Sequence, residues 1–211
     1  DSFFYANVLL TRGQIYSALR SYRKAADYFD QAYVSFFSTD MMFPASVAMT
    51  NALLNWYKVG AFNQLINQAH KVKLMISQFN QTSSNYWDIL KLPIGMTYLL
   101  QLKIDLAEEM LVEAHQAIDD LNLFHMHGFS ELSLFSVYHY QHDINKQTYL
   151  YQRTKKLFEN MHYPFMRVIL IYFDLLMDHK IERSDMQFVE SFYEQTKHTG
   201  DPLAFQLLFY F

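Results

Sequence analysis

Apolar and small residues recur along the chain at helical spacing, broken at intervals by short polar or flexible stretches. Gly13 and Tyr16 lie one turn apart on a first predicted helix. After Leu19-Arg20-Ser21-Tyr22, residues Ala25, Phe29 and Ala32 follow the i, i+4, i+7 spacing of one helical face. Small residues on that face let two antiparallel helices approach closely, and the aromatic residues fill the space to the next pair. About forty residues on, Leu53 and Trp56 take the places of Gly13 and Tyr16, followed by a turn around Gly60 and by Leu65, Ala69 and Val72. A third pair carries Gly95 and Tyr98, then Ala107, Leu111 and Ala114. A fourth carries Phe135 and Tyr138, the polar turn His142-Asp143, and then Gln147, Tyr151 and Thr154, with the small residues gone. Two further helices are predicted at 166–178 and 184–199, with Ser184 and Gln187 spaced as a capping box and Gly200 and Pro202 as stop signals.

Two stretches interrupt the pattern. Pro93 falls inside the first helix of the third pair, where it removes a hydrogen bond and clashes with the preceding turn, so that helix either begins at Pro93 or kinks there. Residues 78–85 are polar without Gly or Pro and read as a connection. The last residues, Leu203 to Phe211, form an apolar run with no second helix after it.

Composition narrows the fold class to all-α. Five Gly and four Pro in 211 residues are too few for the many tight turns of a sandwich or barrel, and 51% apolar residues suffice for a substantial core. The absence of Cys removes disulfides, thiolate metal sites and cysteine nucleophiles, and suits a reducing, cytoplasmic setting. With 17 Lys and Arg against 21 Asp and Glu, no direct nucleic-acid contact is expected from this chain. Its apolar runs are too short to cross a bilayer, so no membrane contact is expected either. The first residue is Asp1 and no signal segment follows, so the chain reads as part of a longer protein. Asn80-Gln81-Thr82 matches a glycosylation acceptor, but no export signal supports it.

The pattern small-x-x-Tyr, turn, Ala-x-x-x-Phe-x-x-Ala, carried by Gly13, Tyr16, Tyr22, Ala25, Phe29 and Ala32, resembles the tetratricopeptide repeat. Gly95, Tyr98, Ala107 and Ala114 repeat it; the second unit keeps mainly Trp56, Gly60 and Phe62, and the signature proline is missing. A period near forty is similar to the helical arm of maltose-activator-type bacterial transcription activators and to the sensor halves of peptide-pheromone regulators. The resemblance implies one domain over 1–211, a right-handed α-solenoid of about five antiparallel helix hairpins. It further implies a ligand- or partner-binding role, as the sensor module of a bacterial transcriptional regulator, with a peptide or protein in the concave groove.

By the same resemblance the groove positions fall on Asn7, Gln14 and Ser17, on Asn51, Tyr57 and Lys58, and on Ser133, Ser136 and His139. With Lys58 as the single cation, this lining argues against clamping of a C-terminal carboxylate. Two alternatives accompany it. Self-association through 203–211 would cover Phe205, Leu208, Phe209 and Phe211. A sugar-like small molecule would stack on Trp56, Tyr57, Tyr138 or Tyr140. No catalytic residue, cofactor or metal is expected: the chain has no phosphate-cradling Gly loop, nucleophile elbow or His-Glu-x-x-His motif, and the close pairs His125/His127 and His139/His142 fall short of a zinc set.

Overall fold

A computed structural model describes residues 2–78, 87–161 and 164–196, and among them every regular element is helical. The helices are α1 (Ser2–Ala18), α2 (Tyr22–Phe37), α3 (Met42–Lys58), α4 (Phe62–Gln78), α5 (Lys91–Leu100), α6 (Ile104–Asp120), α7 (Phe124–Tyr140), α8 (Ile144–Met161), α9 (Pro164–Leu176) and α10 (Arg183–Thr196); a single 3-10 turn, Asp88–Leu90, leads into α5. No described helix is long and apolar enough to cross a membrane.

Most of the helices are cut to nearly one length by a recurring stop. Arg20, Asp40, Leu102, Asn122 and His142 all take φ between 53° and 57°, and Gly60 takes 70°. Only the last is the residue type that enters the left-handed region without steric cost. At Arg20, Asp40, Gly60, Leu102 and His142 the chain reverses through a Schellman motif, in which two N–H groups reach back to the last carbonyls of the helix. Ser21 N–H donates to the Tyr16 carbonyl at 2.9 Å while Arg20 N–H donates to Ser17 at 3.0 Å; Lys103 to Tyr98 and Asp143 to Tyr138 repeat the outer bond at 2.9 and 3.0 Å. The tyrosines that mark the repeat in sequence are thus the residues whose carbonyls accept the closing bond. Their rings lie under cations from the following turn or helix: Lys24 over Tyr16 (5.7 Å), Lys103 over Tyr98 (5.6 Å) and Lys146 over Tyr138 (5.0 Å).

Residue contacts divide the chain into two compact units, 1–122 and 123–211. In the first, α2 packs on both α1 and α3, α3 contacts α4 and α5, and α5 packs on α6. Its core combines Ala25, Ala32, Ala45 and Ala52 with Phe29, Phe36 and Trp56, so backbones approach where Ala sits and rings fill what remains. Two glycines take this to its limit: a Cβ on Gly13 would lie 2.7 Å from the Phe29 ring, and one on Gly95 2.6 Å from Leu111. In the second unit α7 packs on α8 and α9, and α9 on α10. Phe135, the counterpart of Gly13 and Gly95, stacks there on Phe173 with centroids 3.8 Å apart.

Pro93 does not start its helix. The 3-10 turn ends at Leu90 and α5 begins at Lys91, so Pro93 occupies the first turn of α5, where proline is tolerated. The helices expected at 166–178 and 184–199 are shifted. The ninth begins at Pro164, a residue preorganised for a first helical position, and ends at Leu176 before a left-handed Asp178. The tenth begins at Arg183, and its start is closed by Asp185, whose carboxylate accepts from Glu182 N–H at 3.3 Å; Ser184 lies inside the helix and does not cap it. Residues 79–85, with Asn80, and 197–211, with Thr199, Gly200, Pro202 and the apolar run from Leu203, lie outside the described residues.

Leu102→Gly is expected to stabilise the protein by about 0.5–1 kcal/mol, because relief of the left-handed penalty outweighs the added freedom of the unfolded chain. Gly60→Ala is expected to cost about 1 kcal/mol by strain alone, there being open space at that position. Gly13→Ala should cost more, about 1–3 kcal/mol, through overpacking against Phe29. Urea denaturation of the three variants checks the order.

Candidate functional site

Six of the expected groove residues lie on α1 and α3, both in the first unit. Asn7 and Gln14 are seven residues apart and share one face of α1; Asn51 and Lys58 do the same on α3. Gln14 is exposed, while Asn7, Ser17, Asn51, Tyr57 and Lys58 are half-buried. Most of their polar groups already have uses. Asn7 donates to the Phe3 carbonyl at 2.9 Å and Asn51 to Val47 at 2.9 Å. The Tyr57 ring packs on Phe62, and Lys58 lies 5.4 Å from the Tyr22 ring centroid. Ser17 donates its hydroxyl to Asn55 Oδ1 at 3.0 Å, joining α1 to α3.

Asn55 is the residue that sequence reasoning missed. It is 2% exposed and uses both ends of its amide: Oδ1 accepts from Ser17 and Nδ2 donates to the Asn51 carbonyl at 2.8 Å. Its signal in the sequence was an Asn one position before Trp56, between the apolar Leu53-Leu54 and Trp56. A second polar pair at the same separation joins α4 to α2, with Gln68 Nε2 donating to Asp30 Oδ2 at 3.1 Å. One side-chain bond thus joins α1 to α3 and another joins α2 to α4, each time across 38 residues.

Asp30 is the most perturbed carboxylate of this unit. Burial pushes it up to about 6 from an ordinary 3.8, against the Trp56 indole and the Gln68 amide, which favour its charged form; Asp27 adds to the rise and Lys71 opposes it. Its Oδ1 and the Trp56 Nε1 are both buried, and neither completes a hydrogen bond of ordinary geometry. Tyr33, buried beside this carboxylate, is pushed up to about 12.

In the second unit, Ser133 and Ser136 donate to carbonyls four residues back on α7, at 2.8 and 2.9 Å, and Ser133 is buried. The helix itself takes the one hydrogen that the Ser133 hydroxyl can donate. His139 is half-buried in the last turn. Of the residues expected to stack on a sugar, Trp56 and Tyr138 are buried packing residues, whereas Tyr140 is half exposed. Glu131 is fully buried on α7. It accepts from the Thr154 hydroxyl and from Arg153 Nε at 3.1 Å, so Thr154 replaces Ala114 because a carboxylate in this interior needs donors.

Compared with protein-family models, with curated proteins and with solved structures, the chain matches none.

Asn55→Ala is expected to destabilise the protein by about 1–3 kcal/mol, since the Ser17 hydroxyl loses its acceptor in a half-buried site. A folded-state pKa above the unfolded one means that protonation of Asp30 favours the fold. Its contribution is complete below 3.8 and is lost as the pH rises through about 6. Asp30→Asn should therefore be more stable than the parent at pH 7, by on the order of 2 kcal/mol, and the advantage should shrink towards pH 4. Paired urea melts across this range give the difference directly.

Proposed function

We propose that the chain is a partner-binding helical-repeat module of the tetratricopeptide type, an α-solenoid that serves as the sensor domain of a bacterial transcriptional regulator and takes a peptide or protein along its first helices. The observation that carries this reading is the pair of like-to-like ties, Ser17 to Asn55 between first helices and Asp30 to Gln68 between second helices. Hairpins tied in this way stack in register, so the outward faces of α1 and α3 form one continuous surface that carries Asn7, Gln14, Asn51 and Lys58. Such a surface suits an extended segment read by short polar contacts. Each hairpin leans on its neighbours, so a ligand lying across several of them changes their relative tilt, and an attached domain senses the change.

Photo-crosslinking tests the groove. A benzophenone amino acid is placed in turn at Gln14 and Asn51, and at Gln31 and His70 on α2 and α4 as controls, in cells of the native host. The expected outcome is one crosslinked species shared by the first two positions and absent from the controls. Equal labelling from all four positions would overturn the groove reading.

A further inference from the structure

The turns that close α1 and α3 lie side by side. Ser17 and Asn55, in the last turns of the two helices, are joined at 3.0 Å, and Lys58 Nζ lies 5.4 Å from the ring centroid of Tyr22, the first residue of α2. This edge of the first unit gathers cations in a chain whose net charge is −4. Residues 11–28 hold Arg12, Arg20, Arg23 and Lys24 against one carboxylate, Asp27, and residues 41–87, which include Lys58, hold no carboxylate at all. All four cations of the first stretch are exposed. Asp40, the acidic residue of the turn at the other end of α2, is about 24 Å away along that helix.

Aromatic rings orient several of these cations without cancelling their charge. Tyr16 and Tyr28 stack with centroids 5.3 Å apart and planes 4° from parallel; Lys24 lies 5.7 Å from the first ring and Arg12 5.9 Å from the second. A carboxylate would neutralise a lysine or arginine, whereas a ring face attracts it and leaves its full charge, so the edge keeps a positive field. Apolar side chains stand among the cations: Ile15 is 53% exposed, Leu19 67% and Val59 37%. Leu19 N–H donates to the Ile15 carbonyl at 2.9 Å, which continues the helical path and sets the two side chains one turn apart on one face. A phosphate backbone would use the cations and leave Ile15, Leu19 and Val59 in water. A protein segment that carries both carboxylates and apolar side chains uses both features.

We propose that this edge docks an acidic segment of a partner protein, with carboxylates on Arg20, Arg23 and Lys24 and apolar side chains on Leu19 and Val59. The surface lies at the turns and not along the outward faces of α1 and α3. Lys58 borders both, but the proposal does not depend on the groove reading.

Fluorescence anisotropy of the whole chain with a labelled, end-capped peptide Glu-Leu-Asp-Glu-Leu-Phe-Glu-Asp tests this. The peptide is expected to bind with a Kd below about 1 mM at about 50 mM salt, and at least about threefold more weakly at about 200 mM. Versions with glycine for the apolar residues, or with lysine for the acidic ones, are each expected to bind at least about fivefold more weakly. Arg23→Glu combined with Lys24→Glu is expected to weaken binding at least about tenfold; acidic residues suit the first turn of a helix, so this variant keeps its fold, as circular dichroism will verify. Lys180→Glu combined with Arg183→Glu makes the same charge change at exposed positions of the second unit, and is expected to leave binding within about twofold. Leu19→Ser is expected to weaken binding at least about threefold. No binding of the acidic peptide at about 1 mM, equal losses in the two double variants, or an unaffected Leu19→Ser would each overturn the proposal. So would tighter binding of single-stranded oligothymidine or of phosphatidylserine vesicles that is lost in the Arg23→Glu, Lys24→Glu variant, which would assign the edge to phosphates.

Discussion

A left-handed residue just past the helix end, present after α1, α2, α3, α5, α6, α7 and α9, is the constraint on which the rest of this architecture depends. At Arg20, Asp40 and Gly60, and again at Leu102, Asn122 and His142, the helix stops and the chain reverses within three residues. Except for the shorter α5, each of these helices runs for about seventeen residues, or about 25 Å. Five of these six stops carry a side chain whose left-handed backbone is sterically unfavourable by about 1–2 kcal/mol. The opposing contributions are visible in the turns: carbonyls that would otherwise be orphaned accept N–H bonds, and a lysine covers the aromatic ring where the motif closes at Tyr16, Tyr98 and Tyr138. Regular stops also keep register, since one extra residue in any turn would rotate the next helix and take its apolar stripe out of the core.

Within that frame the two units solve the packing problem differently. The first uses alanine and glycine to bring backbones together and confines its aromatic rings to the gaps, which leaves little tolerance at Gly13 or Gly95. The second places large rings at the equivalent step, with Phe135 stacked on Phe173, and accommodates a fully buried Glu131 among Thr154 and Arg153. A buried carboxylate with hydrogen-bonding partners is a weak source of stability but a strong source of register, because sliding α7 against α8 would strand the charge.

Polar groups in the first unit do similar work between hairpins. Ser17 and Asn55 tie α1 to α3, and Asp30 and Gln68 tie α2 to α4. The second tie is coupled to proton uptake, since the Asp30 carboxylate is held partly desolvated beside an indole that does not complete its bond.

The all-α class and the buried stripe residues Ala25, Phe29, Ala32, Ala107, Leu111 and Ala114 were legible from the chain itself, because helical spacing of small and large apolar residues is a local property. The turn at Gly60 was legible for the same reason. The left-handed stops at Arg20, Leu102 and His142 were not, since those residues have no strong intrinsic preference for that conformation and adopt it because the flanking helices are held in place. The start of the tenth helix followed the same logic: a carboxylate at Asp185 reached a free N–H before Ser184 could. Asn55, Asp30 and Glu131 read locally as ordinary polar residues on amphipathic helices. Their partners lie 22 to 38 residues away, and only the packing of the helices brings an acceptor to the Ser17 hydroxyl, an amide to Asp30, or donors to Glu131. Periodicity determines which face of a helix is buried; which polar groups meet inside that face depends on crossing angle and depth, and those are set by the tertiary structure alone.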